Sequence, residues 1–94
     1  MEPAALITGQ ATNYATVQVV NKGQSGVGTT VVASLAFSSG GVTAARDTDT
    51  PLTLSAVAGA LTVADDDVLD VQVVHTGTGL LMPALKVRVT FSRA

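Results

Sequence analysis

The chain has 94 residues and no cysteine, and its five Lys and Arg against seven Asp and Glu give a formal net charge of −2. This length fits one domain, and the absence of cysteine excludes disulfides and a Cys-based zinc site. The weak charge and the small aromatic content (one Tyr, two Phe, no Trp) argue against nucleic-acid binding. No signal-like or membrane-spanning stretch opens the chain, so we expect an intracellularly made soluble protein.

Hydrophobic residues make up 47% of the chain, which is a high fraction for so short a domain. A domain of this size buries only about 60 to 70% of its unfolded surface, so its stability margin is thin. Without disulfides, association is the remaining source of stability. We therefore expect a homo-oligomer in which part of the apolar surface faces a partner.

In the first half of the chain, alternating runs are separated by polar turns. Residues 1–13 hold a short apolar piece and a polar break, and we predict an N-terminal arm there. Apolar and polar residues alternate over 14–20 and again over 31–37, which predicts two strands joined by a glycine-rich loop. Shorter strand candidates follow at 42–45 and 52–55.

In the second half, residues 56–63 fit either a helical stripe or a turn followed by a short strand. Gly59 lowers helix propensity by about 1 kcal/mol relative to Ala, so we predict the turn. Residues 69–75 and 85–91 alternate on either side of a Gly-Thr-Gly turn. We predict that these two runs form the central hairpin of the fold.

Six to eight short strands without a convincing helix predict an all-β protein. We expect a single small β-sandwich over residues 14–94, with jelly-roll-like and immunoglobulin-like strand orders both open. Alternation assigns one face of four runs to the core. The residues predicted to be buried are Val17, Val19, Leu35, Phe37, Leu69, Val71, Val73, Val87, Val89 and Phe91.

Residues with metal-binding or catalytic chemistry are few. Two acidic turns, one with Asp47 and Asp49 and one spanning Asp65–Asp67, could offer oxygen ligands to calcium, but neither has the spacing of a calcium-binding helix-loop-helix. His75 ends a strand on its apolar side, where we expect a partly buried structural histidine. We predict no enzyme activity, no cofactor and no metal site, and we leave calcium binding at the acidic turns open.

Short segments taken in chain order carry a family resemblance. They are Val20-Asn21-Lys22-Gly23 with Gly26-Val27-Gly28-Thr29-Thr30, Leu52-Thr53-Leu54-Ser55, Val63-Ala64-Asp65-Asp66-Asp67-Val68-Leu69, and Gly77-Thr78-Gly79 with Pro83. Residues 14–91 thereby resemble small head decoration, or cement, proteins of tailed bacteriophages. The chain departs from the pattern at Asp66, where similar sequences tend to carry glycine. Asp tolerates a left-handed backbone better than most residues but worse than Gly.

The resemblance implies a structural virion protein, commonly a trimer, on the outer surface of the assembled phage head. There it would bridge neighbouring major capsid proteins and stabilise the head. A receptor- or carbohydrate-binding module of a tail or head fibre would share the sandwich, although sugar platforms generally use aromatic rings and Tyr14 is the only tyrosine. A calcium-dependent adhesin-like domain would need the acidic turns to converge.

Three consecutive large apolar residues, Leu80, Leu81 and Met82, lie between a Gly-Thr-Gly turn and Pro83. Strand alternation would turn at least one of them outward. The segment could plug the open end of the sandwich, or it could dock onto a neighbouring subunit or the capsid together with Leu6 and Ile7 of the arm. Both alternatives stay open, and all five residues are predicted interaction residues.

Overall fold

A computed structural model describes residues 1–90, and within that range it contains eight β-strands and no helix. The prediction of an all-β domain with six to eight short strands is confirmed. The sandwich arrangement and its strand order stay predictions. The strands are β1 (Glu2–Pro3), β2 (Ile7–Thr8), β3 (Tyr14–Asn21), β4 (Thr30–Ala36), β5 (Thr43–Ala44), β6 (Thr53–Leu54), β7 (Leu69–Thr76) and β8 (Leu85–Lys86).

The main element is a four-stranded antiparallel sheet in the order β6-β4-β3-β7. β3 is its centre, because the alternation that predicts this strand gives it one apolar face, with Ala15, Val17 and Val19 buried. Its pairing with β4 shifts register between Val19 and Val20, where β4 carries one extra residue. Two short ribbons, β1 with β8 and β2 with β5, complete the pairing within residues 1–90.

The core forms where the two ribbons meet the buried face of β3. Its central cluster contains Met1, Ile7, Val17, Phe37 and Ala44. Partly buried residues pack around that cluster, and they are Leu35, Val42, Leu52, Leu80, Met82, Leu85 and Val87. No residue of β7 belongs to either group.

The N-terminal segment 1–13 belongs to this core, which corrects the prediction of a separate arm. Met1 and Ile7 are buried, and β1 and β2 both pair with later strands. The amino group of Met1 donates hydrogen bonds to Asp49 Oδ1 at 2.9 Å and to the Thr50 carbonyl at 3.0 Å. Apolar burial and strand pairing therefore hold the N-terminal segment against the rest of the domain. Its apolar run is too short for the sequence alone to predict this.

The predicted hairpin between residues 69–75 and 85–91 is wrong. β7 pairs with β3 over its whole length, and β8 pairs with β1. Between them, Leu80 and Met82 turn into the core, and Pro83 has no N–H to donate to a ladder. The chain therefore leaves the sheet after β7 instead of folding back along it.

The predictions of burial are confirmed for some residues and wrong for others. Val17, Val19 and Phe37 are buried as predicted, and Leu35, Leu69 and Val87 are partly buried. Burial was predicted wrongly for three valines, Val71, Val73 and Val89, which are exposed. The core cluster forms over β3 and does not reach β7. Phe91 lies outside the described residues, as does the end of the predicted domain.

Candidate interaction surface

The segment 80–82 projects one large apolar side chain into solvent. Gly77 and Gly79 precede it with φ of 67° and 79°, a left-handed backbone that glycine adopts without a steric penalty. Leu80 and Met82 then pack against the core cluster, whereas Leu81 is 96% exposed. Leu80 and Met82 therefore agree with the plug alternative. Of the three residues, only Leu81 is exposed for contact with a partner.

The other two predicted interaction residues separate in the same way. Leu6 is 63% exposed, but Ile7 is 2% exposed and belongs to the core cluster. Ile7 is held there because β2 pairs with β5, which places it opposite Ala44. A side chain that is already buried within its own chain cannot be an interface anchor, so Ile7 is removed from the predicted interaction set.

β7 supplies an apolar surface that sequence reasoning missed. Val71 and Val73 lie on the same face as the buried Val19 and Val17, with which they pair, yet they are 45% and 39% exposed. Val74, on the opposite face, is also exposed. The adjacent Val73 and Val74 were the available signal, since a strand with one solvated face alternates strictly.

The first acidic turn contacts the chain's own cations. Asp49 pairs with the Met1 ammonium group at 2.9 Å, and its other oxygen lies 3.9 Å from Arg88. The hydrogen bond and charge of that ammonium group lower the pKa of Asp49 below its ordinary value. Asp47 lies beside Arg46 at 3.4 Å, with both side chains exposed.

The second acidic turn, Asp65–Asp67, connects to the start of β7. Asp67 accepts hydrogen bonds from the Asn21 side-chain amide at 3.0 Å and from the Ala64 N–H at 2.8 Å. These bonds, the Asn21 bond first, lower the pKa of Asp67. Asp66 has φ of 67°, a left-handed backbone that glycine would adopt without a steric penalty. Within residues 1–90, no three His, Asp or Glu side chains form a group that could hold a metal ion.

His75 is exposed on β7, not partly buried as predicted. Its ring lies against Gly79, where an added Cβ would approach Nδ1 to 2.5 Å. An open cleft of about 290 Å³ lies elsewhere, between the sheet and residues 87–90, with mainly apolar walls and Asp49 and Arg88 among its lining residues. The described residues include no helix able to span a membrane.

Comparisons with known proteins returned no match to this chain from family models, curated proteins or solved structures.

Proposed function

We propose that this chain is a capsid decoration protein that binds the outer surface of an assembled phage head and bridges major capsid proteins. The resemblance over residues 14–91 motivates the proposal. The observation that carries it is Leu81, which is 96% exposed between two residues packed against the core. Its backbone is held on both sides, so docking this side chain costs little ordering entropy.

Leu6 adds a second exposed apolar side chain of the same kind. It immediately precedes the buried Ile7, and Ile7 packs in the cluster that Leu80 and Met82 also contact. Both exposed leucines therefore extend from segments anchored on one core. Apolar anchors of this type carry most of the free energy in protein interfaces, and many copies bound to a lattice stabilise it by mass action.

Co-sedimentation tests the proposal with expanded heads that lack the decoration protein, prepared from the phage that encodes the chain. The wild-type chain should sediment with the heads, and binding should persist at moderate salt because the proposed anchors are apolar. Leu81→Ser should weaken binding about tenfold to a hundredfold, since burying a leucine contributes about 1.5 to 3 kcal/mol. The melting temperature of the isolated variant should stay close to that of the wild type.

Two control variants separate docking from folding. Val27→Ser changes a valine that is also strongly exposed, in the loop between β3 and β4, and should bind heads normally. Leu80→Ser should instead lower the melting temperature, because Leu80 packs against the core. A wild-type chain that does not bind heads contradicts the capsid role. Normal binding by Leu81→Ser removes Leu81 from the interface.

A further inference from the structure

The outer edge of β7 carries backbone groups directed away from the sheet. The Ala15 carbonyl accepts a hydrogen bond from the Phe37 N–H at 2.9 Å, and the Lys22 N–H donates to the Val68 carbonyl at 2.8 Å. Because these groups alternate in direction along a strand, odd positions of β3 face β4 and even positions face β7. The even positions of β7 therefore bond to β3. Its outward-directed N–H and C=O groups belong to Leu69, Val71, Val73 and His75.

This edge lacks the features that normally block strand addition. Within residues 1–90 no strand pairs with it. β7 is eight residues long, contains no Pro, Gly or Lys, and has Asp70 as its single acidic residue. Natural edge strands are usually short or interrupted by such residues, because an open edge is a template for another chain.

The accessible surface of the chain is larger than the average for a folded monomer of its mass. Its accessible surface is 6056 Å², whereas a folded monomer of 9.4 kDa is expected to expose about 5,000 Å². The difference of about 1,000 Å² is close to the roughly 800 Å² that each partner buries in a standard interface. The radius of gyration, 13.8 Å, likewise exceeds the roughly 12.4 Å expected for this length.

The charge distribution along β7 indicates which partner fits. Acidic residues cluster at its beginning, where Asp65–Asp67 and Asp70 lie, and its end carries His75 without a carboxylate. A second copy in parallel would align both acidic ends. A second copy in antiparallel orientation sets each acidic end beside the end that holds His75, and it places the two turns Asp65–Asp67 at opposite ends of the paired strands.

We propose that two copies of this chain pair through β7 about a two-fold axis and join their four-stranded sheets into one. Only outward-directed residues can exchange ladder hydrogen bonds, which restricts the register. With the axis at Gln72, Val71 of one copy lies opposite Val73 of the other, and Leu69 lies opposite His75. Asp70 then lies opposite Val74, so no carboxylate meets another. The dimer does not rest on the capsid role, and it differs from the trimer that the family resemblance implies.

Light scattering on the eluting wild-type protein tests the number of copies, with twice the 9.4 kDa chain mass expected. Gln72→Cys tests the axis in a chain that has no other cysteine. Two residues facing each other across a non-hydrogen-bonded pair have Cα atoms about 4.5 Å apart, a distance that permits a disulfide. Mild oxidation should therefore convert Gln72→Cys almost completely to a covalent dimer.

Val74→Cys is the matched control on the same face of the same strand. In the proposed register its two copies lie about 13 Å apart along the strands, too far for a disulfide. Val74 is also the more exposed of the two positions, so random collisions would favour it. Equal cross-linking of both variants overturns the register. A monomer at the highest soluble concentration overturns the proposal and would leave the β7 edge open to a strand from another protein. A trimer, the number that the family resemblance implies, overturns the proposal as well.

Discussion

β4 and β7 flank the same central strand, and both pair with it antiparallel, yet apolar residues are buried on β4 and exposed on β7. On the β4 side, Val32 and Ala33 are buried. On the β7 side, Val71 and Val73 share a face with buried β3 residues but remain exposed. Alternation determines which face a side chain joins, whereas distant segments determine whether that face is covered. Here the N-terminal segment, Leu80 and Met82 supply the cover, and it ends at β3.

The two sides should consequently be held by different forces. Apolar burial dominates on the β4 side, where Phe37 is fully buried. The β7 side depends more on its ladder to β3 and on polar contacts, such as the 3.1 Å hydrogen bond from Gln18 to Gln72. Net contributions of hydrogen bonds are small, about 0.5 to 1.5 kcal/mol each. In an isolated chain, the backbone amides of β7 should therefore be less protected from hydrogen exchange than those of β4.

The largest expected effect comes from truncating paired valines on the two sides of this boundary. Val17 is fully buried and lies directly opposite Val73, which is 39% exposed. Val17→Ala should lower the free energy of unfolding by about 2 to 3 kcal/mol, because it removes buried methyl groups and leaves a cavity. Val73→Ala should cost less than about 1 kcal/mol in the monomer. Chemical denaturation of both variants measures the difference.

Protein concentration sharpens this test. If β7 pairs with a second copy, wild-type stability rises with concentration, and the cost of Val73→Ala rises with it. The cost of Val17→Ala should stay constant, since Val17 is buried within one chain. Equal costs for the two variants at low concentration would show that Val73 is as well buried as Val17 and would remove the difference between the two sides of the sheet.

The strands that alternation predicted at 14–20, 31–37 and 69–75 all exist, because each run is long enough for period two to exclude a helix. The pairing of β3 with β7 could not be predicted, since this ladder joins residues from Asn21 and Leu69 to Tyr14 and Thr76, which lie far apart in the sequence. The same limit applies to the site. Alternation predicted that at least one of residues 80–82 turns outward, and Leu81 is exposed, although these residues form no strand. The burial of Ile7 could not be predicted from its short sequence run.

A second, smaller effect is expected at the turn that leads into β7. Asp67 connects this turn to the end of β3 through Asn21, and hydrogen bonds to its carboxylate lower its pKa below 3.8. The ionised form is therefore favoured by folding, so its contribution is present above pH 3.8 and is lost as the pH falls below that value. Asp67→Ala should lower the melting temperature at neutral pH, and its difference from the wild type should shrink on acidification.

Hydrogen exchange locates this effect on one side of the sheet. Asp67→Ala should speed amide exchange in β7 more than in β4, because Asn21 and Asp67 join the adjoining ends of β3 and β7. Asp65→Ala removes a neighbouring carboxylate whose side chain makes no hydrogen bond within residues 1–90, and it should leave β7 exchange unchanged. Uniformly faster exchange in both strands would contradict a local role for Asp67.

The smallest expected effect is a gain in stability at Asp66. Its φ of 67° is in the left-handed region, which costs an L-residue about 1 to 2 kcal/mol, though less for Asp. Glycine avoids this cost but loses more freedom on folding, so Asp66→Gly should stabilise the chain by at most about 1 kcal/mol. Asp65→Gly makes the same change of charge at a position without positive φ and should destabilise. Thermal melts that rank the two variants in the reverse order would show that backbone strain at Asp66 does not lower the stability of the turn that leads into β7.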